Sequence, residues 1–428
     1  MLHGFLDISS YLEPIPDPLD PTSYCPCARE YIQRGQEILY RLSCIAWNNS
    51  MYIAANMGDK VPCLRKDNFL CPFLGYFQYN TEVVFNQQGC LVAKYHKQHL
   101  FTAERLLWDV PRQVEFSYFD TDFGRFGLMI CFDAVFKDPG IELVEKYHVT
   151  DIIFSTAWKN VYPHYVSVAY HSGWAMTMKV NYLSSNMHSP YDGYIGSGVY
   201  SPHGVINYTF NISSETGFLV IAKVPINKPL DKLNHQTVLH TAVGGTESFS
   251  SYVFGDKYKF ISLEGDFGNI SICHESVCCY LEYNRADNSY FYALGVFDGM
   301  HYLQGKYYLE VCLLTRCIEN RQVCGTVTDN SESMFLSYNL TAVMNTAYAF
   351  PEVVSTADYN FTSDWKFVND GYKKTIVGNN KTLTSVVLMG RNYDKDDPKA
   401  DCTSYSSAYS LHSSPMLFLL VFIARWVS

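Results

Sequence analysis

The sequence predicts an α+β chain in two parts, a layered α/β domain followed by a disulfide-rich, mostly β domain. Three observations carry this. Strand-like apolar runs alternate with helix-like runs from Met51 to Asn186, the pattern of a sheet covered by helices. After about residue 226 the texture changes to short Tyr- and Phe-rich stretches separated by turn residues. Six of the 14 cysteines then fall between 273 and 324, where disulfides can staple such a domain.

Taken in order, Met51–Asn56 reads as a short strand. Glu82–His96 reads as a hairpin around Asn86-Gln87-Gln88-Gly89. Phe126–Ile130 is an apolar strand ending at Cys131. A helix is expected from Asp138-Pro139, with Asp138 as cap, Pro139 in the first turn and Ile141, Leu143 and Val144 on the apolar side. Asp151–Ser155 reads as a strand, Pro163–Val180 as a helix and Tyr182–Asn186 as a strand. The polar stretch Lys228–Glu247 has weak periodicity and reads as a linker. The expected domains are 1–226, a linker 227–252, a β-rich domain 253–400 and a tail 401–428.

Composition excludes several classes. The chain is 48% apolar and 17% charged, which excludes wholesale disorder. The net charge is −10 with no basic stripe, so nucleic acid is excluded as a partner. The cysteines show neither C-x2-C pairs nor histidines at ligand spacing, so disulfides are expected and no metal. Disulfides imply an oxidising compartment. Seven N-x-S/T sequons, at Asn48, Asn207, Asn211, Asn269, Asn339, Asn360 and Asn380, agree with a secreted glycoprotein.

The two ends do not match. Met1-Leu-His-Gly-Phe-Leu lacks the basic and apolar regions of a signal peptide, so an N-terminally truncated sequence is expected. At the other end, small residues at Ser404, Ser406, Ser407 and Ala408 precede a polar spacer and the apolar run Met416–Ala424. That order is expected of a GPI-attachment signal, with Ser404 and Ser406 as candidate attachment sites. The run is too short to span a bilayer, which needs about 20 residues. The expected location is the extracellular face of the plasma membrane, anchored or secreted.

Two residues stand out for chemistry. Cys131 lies between a strand and a helix, where backbone N–H groups can lower a thiol's pKa and hold an oxyanion. A structural or disulfide-bonded cysteine is the plain alternative. Lys97, in Tyr95-His-Lys-Gln-His-Leu100, closes the hairpin arm, and a lysine beside a thiolate can stabilise it. A solvated lysine is the plain alternative there. His96, His99, His148, His164 and His171 show no defensible pairing and read as packing or surface residues.

These residues carry a resemblance. Gly127-Leu-Met-Ile-Cys-Phe-Asp133, Lys94-Tyr-His-Lys-Gln98 and Thr156-Ala-Trp158 resemble the carbon–nitrogen hydrolase (nitrilase) superfamily. Tyr79-Asn-Thr-Glu-Val-Val-Phe85, Asp138-Pro139, Ser172-Gly-Trp-Ala-Met176, Gly196-Ser-Gly198 and Tyr292-Ala-Leu-Gly-Val-Phe-Asp-Gly299 are similar to the vanin (pantetheinase) and biotinidase family within it. The likeness covers nearly the whole chain.

The resemblance implies an α-β-β-α sandwich and a Glu–Lys–Cys triad that hydrolyses amides. Cys131 would be the nucleophile, Lys97 the oxyanion and proton-relay residue, and the Phe132 backbone N–H an oxyanion donor. The family's glutamate precedes a stretch matched by Leu2-His3-Gly4-Phe5, so it would fall upstream of this chain. Glu104, seven residues after Lys97, is a supporting candidate. The resemblance also implies disulfides Cys27–Cys44 and Cys63–Cys71, with Cys273, Cys278, Cys279, Cys312, Cys317 and Cys324 paired among themselves in an order left open. Cys25, Cys90, Cys131 and Cys402 are then left over. The expected activity is amide hydrolysis of pantetheine to pantothenate and cysteamine, with no cofactor. The alternatives are a biotin-amide hydrolase, or an inactive pseudoenzyme lacking its base. The expected partners are a small amide substrate and, through the anchor, a membrane; oligomeric state is left open.

Overall fold

The computed structural model describes residues 8–18, 24–29, 34–66, 68–230, 233, 248–318, 323–325, 332–362 and 364–396. Leu2-His3-Gly4-Phe5, Cys402, Ser404, Ser406, the tail 401–428 and most of the linker lie outside them. The described residues up to Asp396 belong to one compact unit.

The first sheet holds β1 (Leu12–Glu13), β2 (Ile53–Pro62), β3 (Tyr76–Phe85) and β4 (Leu91–His96) in that order, and α1 (Glu37–Asn49) packs outside it. Val83-Val84-Phe85 shows why. Successive strand residues point to opposite faces. Val83 and Phe85 meet Leu39 and Ala46 of α1, while Val84 turns inward to Leu128 and Ile130. A strand covered on both faces reads as a continuous apolar run.

The second sheet is built from β5 (Tyr118–Thr121), β6 (Gly124–Ile130), β7 (Asp151–Thr156), β8 (Asn181–Asn186), β9 (Ser197–Ser201) and β10 (Gly204–Thr209). The trio β6, β7 and β8 is parallel, so its connections cross over through helical segments. These are α2 (Glu142–Glu145) and α3 (Ser167–Met178), on the face away from the first sheet. The layers are therefore α-β-β-α.

Every residue of α3 is buried, because a third sheet covers its outer side. Gly173 is required at that contact, since a Cβ would lie 2.2 Å from the Pro351 carbonyl oxygen. The third sheet runs β11 (Phe249–Val253), β12 (Asp256–Ser262), β15 (Tyr292–His301), β16 (Tyr307–Ile318), β22 (Ser385–Arg391) and β19 (Ala349–Val354), with β17 (Val323–Cys324) beside β16. A fourth sheet, β13 (Phe267–His274), β14 (Val277–Arg285), β18 (Met334–Val343), β21 (Lys373–Thr382) and β20 (Trp365–Asp370), stacks on it. Cys279–Cys312 ties these two sheets, Cys273–Cys278 closes the β13–β14 hairpin, and Cys317–Cys324 holds β17 to β16.

Two expectations need correction, and a third is met in its backbone only. The strand read as Met51–Asn56 runs Ile53–Pro62. The helix expected from Asp138-Pro139 is present: a wide helical turn, Lys137–Ile141, runs into α2 at Glu142, and Asp138 precedes Pro139 with the extended backbone of a cap, φ −101°, ψ 143°. Its carboxylate faces His99 instead. Cys25 and Cys90, left over in the sequence reading, form a disulfide, because Leu91 N–H bonds the Tyr24 carbonyl at 2.9 Å and draws the two segments together.

Candidate active site

Cys131 directly follows β6 and has a positive φ of 50°, a conformation rare outside glycine. The chain then tightens into a single helical turn, Cys131–Val135. Among the described cysteines only Cys131 is free, and it is partly accessible. Burial pushes its thiol above the ordinary value, and Glu104 adds to this. Lys97, the Thr156 hydroxyl and the Ala157 N–H act the other way.

Lys97 follows β4 and is 1% exposed. Burial opposes its charge, yet Cys131, Glu104 and Asp133 together raise its pKa above the ordinary lysine value. It is an ammonium in the interior, ion-paired to Glu104. Glu104 is itself held by Asn80 Nδ2 at 2.8 Å and by the Phe101 N–H at 2.8 Å. The structure thus brings Cys131, Lys97 and Glu104 into one cluster.

Asp133 is the residue the sequence reading left without a role. Its fully buried carboxylate accepts hydrogen bonds from Tyr95 Oη at 2.9 Å, His99 N at 2.8 Å and Ile130 N at 2.9 Å. One side chain therefore clamps the segment after Lys97 to the strand end before Cys131. Burial raises its pKa, while His99 and Lys97 counter that. His99, read as packing, lies 2.9 Å from the Asp138 carbonyl and stacks on Phe136 at 3.9 Å. His96 bridges Asp59 at 2.8 Å and Glu115 at 2.9 Å. His164 and His171 are buried, and burial pulls both down to about 3.

Glu82 was also missed. Its buried carboxyl accepts a bond from Ser155 Oγ at 2.9 Å, and burial pushes it up to about 8. Ser155 is the cross-strand partner of Ile130 and precedes Thr156, so Glu82 sits one register step from the thiol. Phe132 packs edge-on to Phe101 and Tyr307. Gly305 of the third sheet's β15–β16 loop is so close that an added Cβ would lie 2.9 Å from the Phe132 ring.

The remaining site residues are placed as follows. Cys27–Cys44 and Cys63–Cys71 are bonded. Asn48, Asn207, Asn269 and Asn380 are exposed, and Asn211, Asn339 and Asn360 half-buried. Asn207 Nδ2 already donates to the Ile221 carbonyl at 2.8 Å. Among the described residues no group of three or more His, Cys, Asp or Glu could hold a metal ion, and no helix is long and apolar enough to cross a membrane.

A free thiol on a strand-to-helix turn beside a buried ammonium, set between two helix-flanked sheets, defines a class. Residues 19–227 match the family model of carbon–nitrogen hydrolase, and residues 248–396 match that of the vanin C-terminal domain. The chain belongs to the carbon–nitrogen hydrolase family, in its vanin branch, and is a hydrolase acting on C–N amide bonds. It is 38% identical to a pantetheinase of Mus musculus, over 96% of this chain and 82% of that one. It is likewise 38% identical to a pantetheinase of Homo sapiens, over 90% and 76%. A biotinidase of Bos taurus is 31% identical, over 92% and 82%.

Proposed function

We propose that the protein is a pantetheine hydrolase, releasing pantothenate and cysteamine through a Cys131 thioester. The carrying observation is the free Cys131 thiol at positive φ, in electrostatic contact with the buried Lys97 ammonium. Cys131 sulfur attacks the amide carbonyl as its proton is relayed through Lys97 to the amide nitrogen. The Lys97 ammonium and the Phe132 N–H stabilise the negative oxygen that forms. The C–N bond breaks, the amine leaves with a proton, and water then cleaves the thioester to the acid. Glu104 keeps Lys97 charged and aimed. The higher identity to pantetheinases than to the biotinidase supports pantetheine over biotin amides. The six disulfides among the described residues support an oxidising, extracellular compartment. The exposed sequons support glycosylation, and the Ser404–Ala424 sequence supports a GPI anchor.

A second reading rests on one observation. Burial holds the Cys131 thiol protonated, and Glu104, engaged by Lys97, Asn80 and the Phe101 N–H, is not free to take that proton. In this reading the chain is an inactive pseudoenzyme. The test is cysteamine release from pantetheine, run beside lysine release from biotinyl-lysine, with Cys131→Ala as control. Turnover of pantetheine that disappears in the variant is expected. Equal turnover by the variant sinks the mechanism, no turnover by either supports the pseudoenzyme, and turnover of biotinyl-lysine alone reverses the substrate choice.

A further inference from the structure

The loop joining β2 to β3 presents an apolar tip that its own backbone holds rigid. Cys63–Cys71 closes it. Cys63 N bonds the Gly75 carbonyl at 2.9 Å, Asn68 N the Leu64 carbonyl at 2.9 Å, and Gly75 N the Pro72 carbonyl at 3.0 Å. Arg65 Nε donates to the Cys71 carbonyl at 3.1 Å, and Arg112 reaches across to Asn68 Oδ1. On this frame Phe69 is 83% exposed and Phe73 90%, with Leu64, Leu70 and Leu74 each more than half exposed. A lone exposed leucine needs no explanation. Five large apolar side chains on one stapled tip mark a docking surface.

The charge around the tip says what docks. The chain carries −10 overall, yet Arg65 and Lys66 against Asp67 leave this loop at net +1. The Arg65 guanidinium lies 3.7 Å over the Phe73 ring, an apolar stem and ring under a cationic head. That pairing suits the boundary between lipid headgroups and acyl chains, where aromatic rings enter and guanidinium or ammonium groups meet phosphate. We infer that the Cys63–Gly75 loop docks on a phospholipid bilayer surface, with Phe69 and Phe73 entering the interface and Arg65 and Lys66 meeting the lipid phosphates.

The placement matters for the site. The loop ends one residue before β3, and Asn80, which holds Glu104, lies four residues into that strand, about 13 Å along it at 3.3 Å per residue. Docking turns the catalytic end of the sandwich toward the lipid.

The test is vesicle flotation of the full chain with phosphatidylcholine, with and without phosphatidylserine. It compares the parent with Phe69→Ser/Phe73→Ser and with Arg65→Gln/Lys66→Gln. Any contribution of Met416–Ala424 is common to all three. The double Phe variant is expected to lose roughly tenfold to a hundredfold in partitioning, from two aromatic groups returned to water. The basic-pair variant is expected to lose most of the phosphatidylserine increment. Equal partitioning of parent and Phe variant overturns the inference. So does a parent oligomer, seen by light scattering, that the Phe variant dissolves while vesicle binding stays unchanged, since the tip would then bind a second copy.

Discussion

Removing the Asp133 carboxylate should loosen the two segments that carry Lys97 and Cys131. The carboxylate receives three buried hydrogen bonds, from Tyr95 Oη, His99 N and Ile130 N. Asp133→Ala leaves all three donors without their acceptor. Each unsatisfied buried donor costs about 1–3 kcal/mol. Water entering the small cavity recovers part of that, and the carboxylate's own desolvation, visible in its raised pKa, is relieved. The net loss is about 3–5 kcal/mol. Asp133→Asn keeps the shape but turns an NH2 toward one of the three donors, for a loss of about 2–3 kcal/mol. Urea unfolding at neutral pH reads the stability. Alkylation of Cys131 by iodoacetamide in the folded protein reads the site, because the thiol's environment depends on Lys97 staying in place. A rate changed by roughly tenfold is expected, equivalent to about 1.4 kcal/mol at the thiol. Losses under about 1 kcal/mol, with an unchanged alkylation rate in both variants, would refute the clamp.

The remaining predictions concern the pH response and the staples. Glu82 titrates at an ordinary 4.5 when unfolded and at about 8 when folded, so the unfolded chain loses this proton first and stability falls as pH rises from about 4.5 to 8. The group should cost about 4 kcal/mol by pH 8. Glu82→Gln, which stays neutral and keeps a partner for Ser155, should flatten that part of the denaturation-versus-pH curve, and an unaltered slope would argue against a buried, displaced carboxyl. Replacing Cys25 and Cys90 by serine opens a link across 65 residues, worth at most about 4 kcal/mol by loop closure and less because Cys27–Cys44 already restrains part of that loop. A thermal midpoint unchanged in that double variant would show that the hydrogen bond from Leu91 to Tyr24 alone sets the contact.

Much of this arrangement was legible in the sequence, for physical reasons that also explain what was not. The β6–Cys131 elbow announces itself because an apolar run stops abruptly at a thiol. The helix α3 was found by its length and bounds. Its sequence carries no apolar stripe, and a helix apolar all round is one buried on every side. The third sheet supplies that second cover. Helix α1 was missed although Leu39, Ser43 and Ala46 recur at helical spacing on its buried face, because the surrounding cysteines and loop residues dominate the reading there. Asp138-Pro139 marked the start of a helical segment correctly, because Asp-Pro is a local helix-start signal, but the carboxylate's partner, His99, comes from another segment and left no local sign. Glu82 and Asp133 could not have been assigned roles. Each acts by contacts tens of residues away in sequence, and a carboxyl inside an apolar run gives no local hint of which donors will meet it.

Glu352 shows what the covering of α3 means for the molecule as a heritable unit. It belongs to β19, yet its two oxygens receive the Tyr165 and Val166 N–H groups at 3.1 Å each, fixing the two residues that lead into α3. The segments matched by two separate family models are thus interlocked: the later one anchors the entry to a helix of the earlier one and supplies its second wall. A seam in sequence is here not a seam in matter. Residues 19–227 expressed alone would leave the α3 face that meets β19 bare and the Tyr165 and Val166 N–H groups without the Glu352 carboxyl. A side chain at position 173 would strike the backbone of residue 351 whatever residue stood there, so in an engineered exchange the two segments are best moved as a single piece.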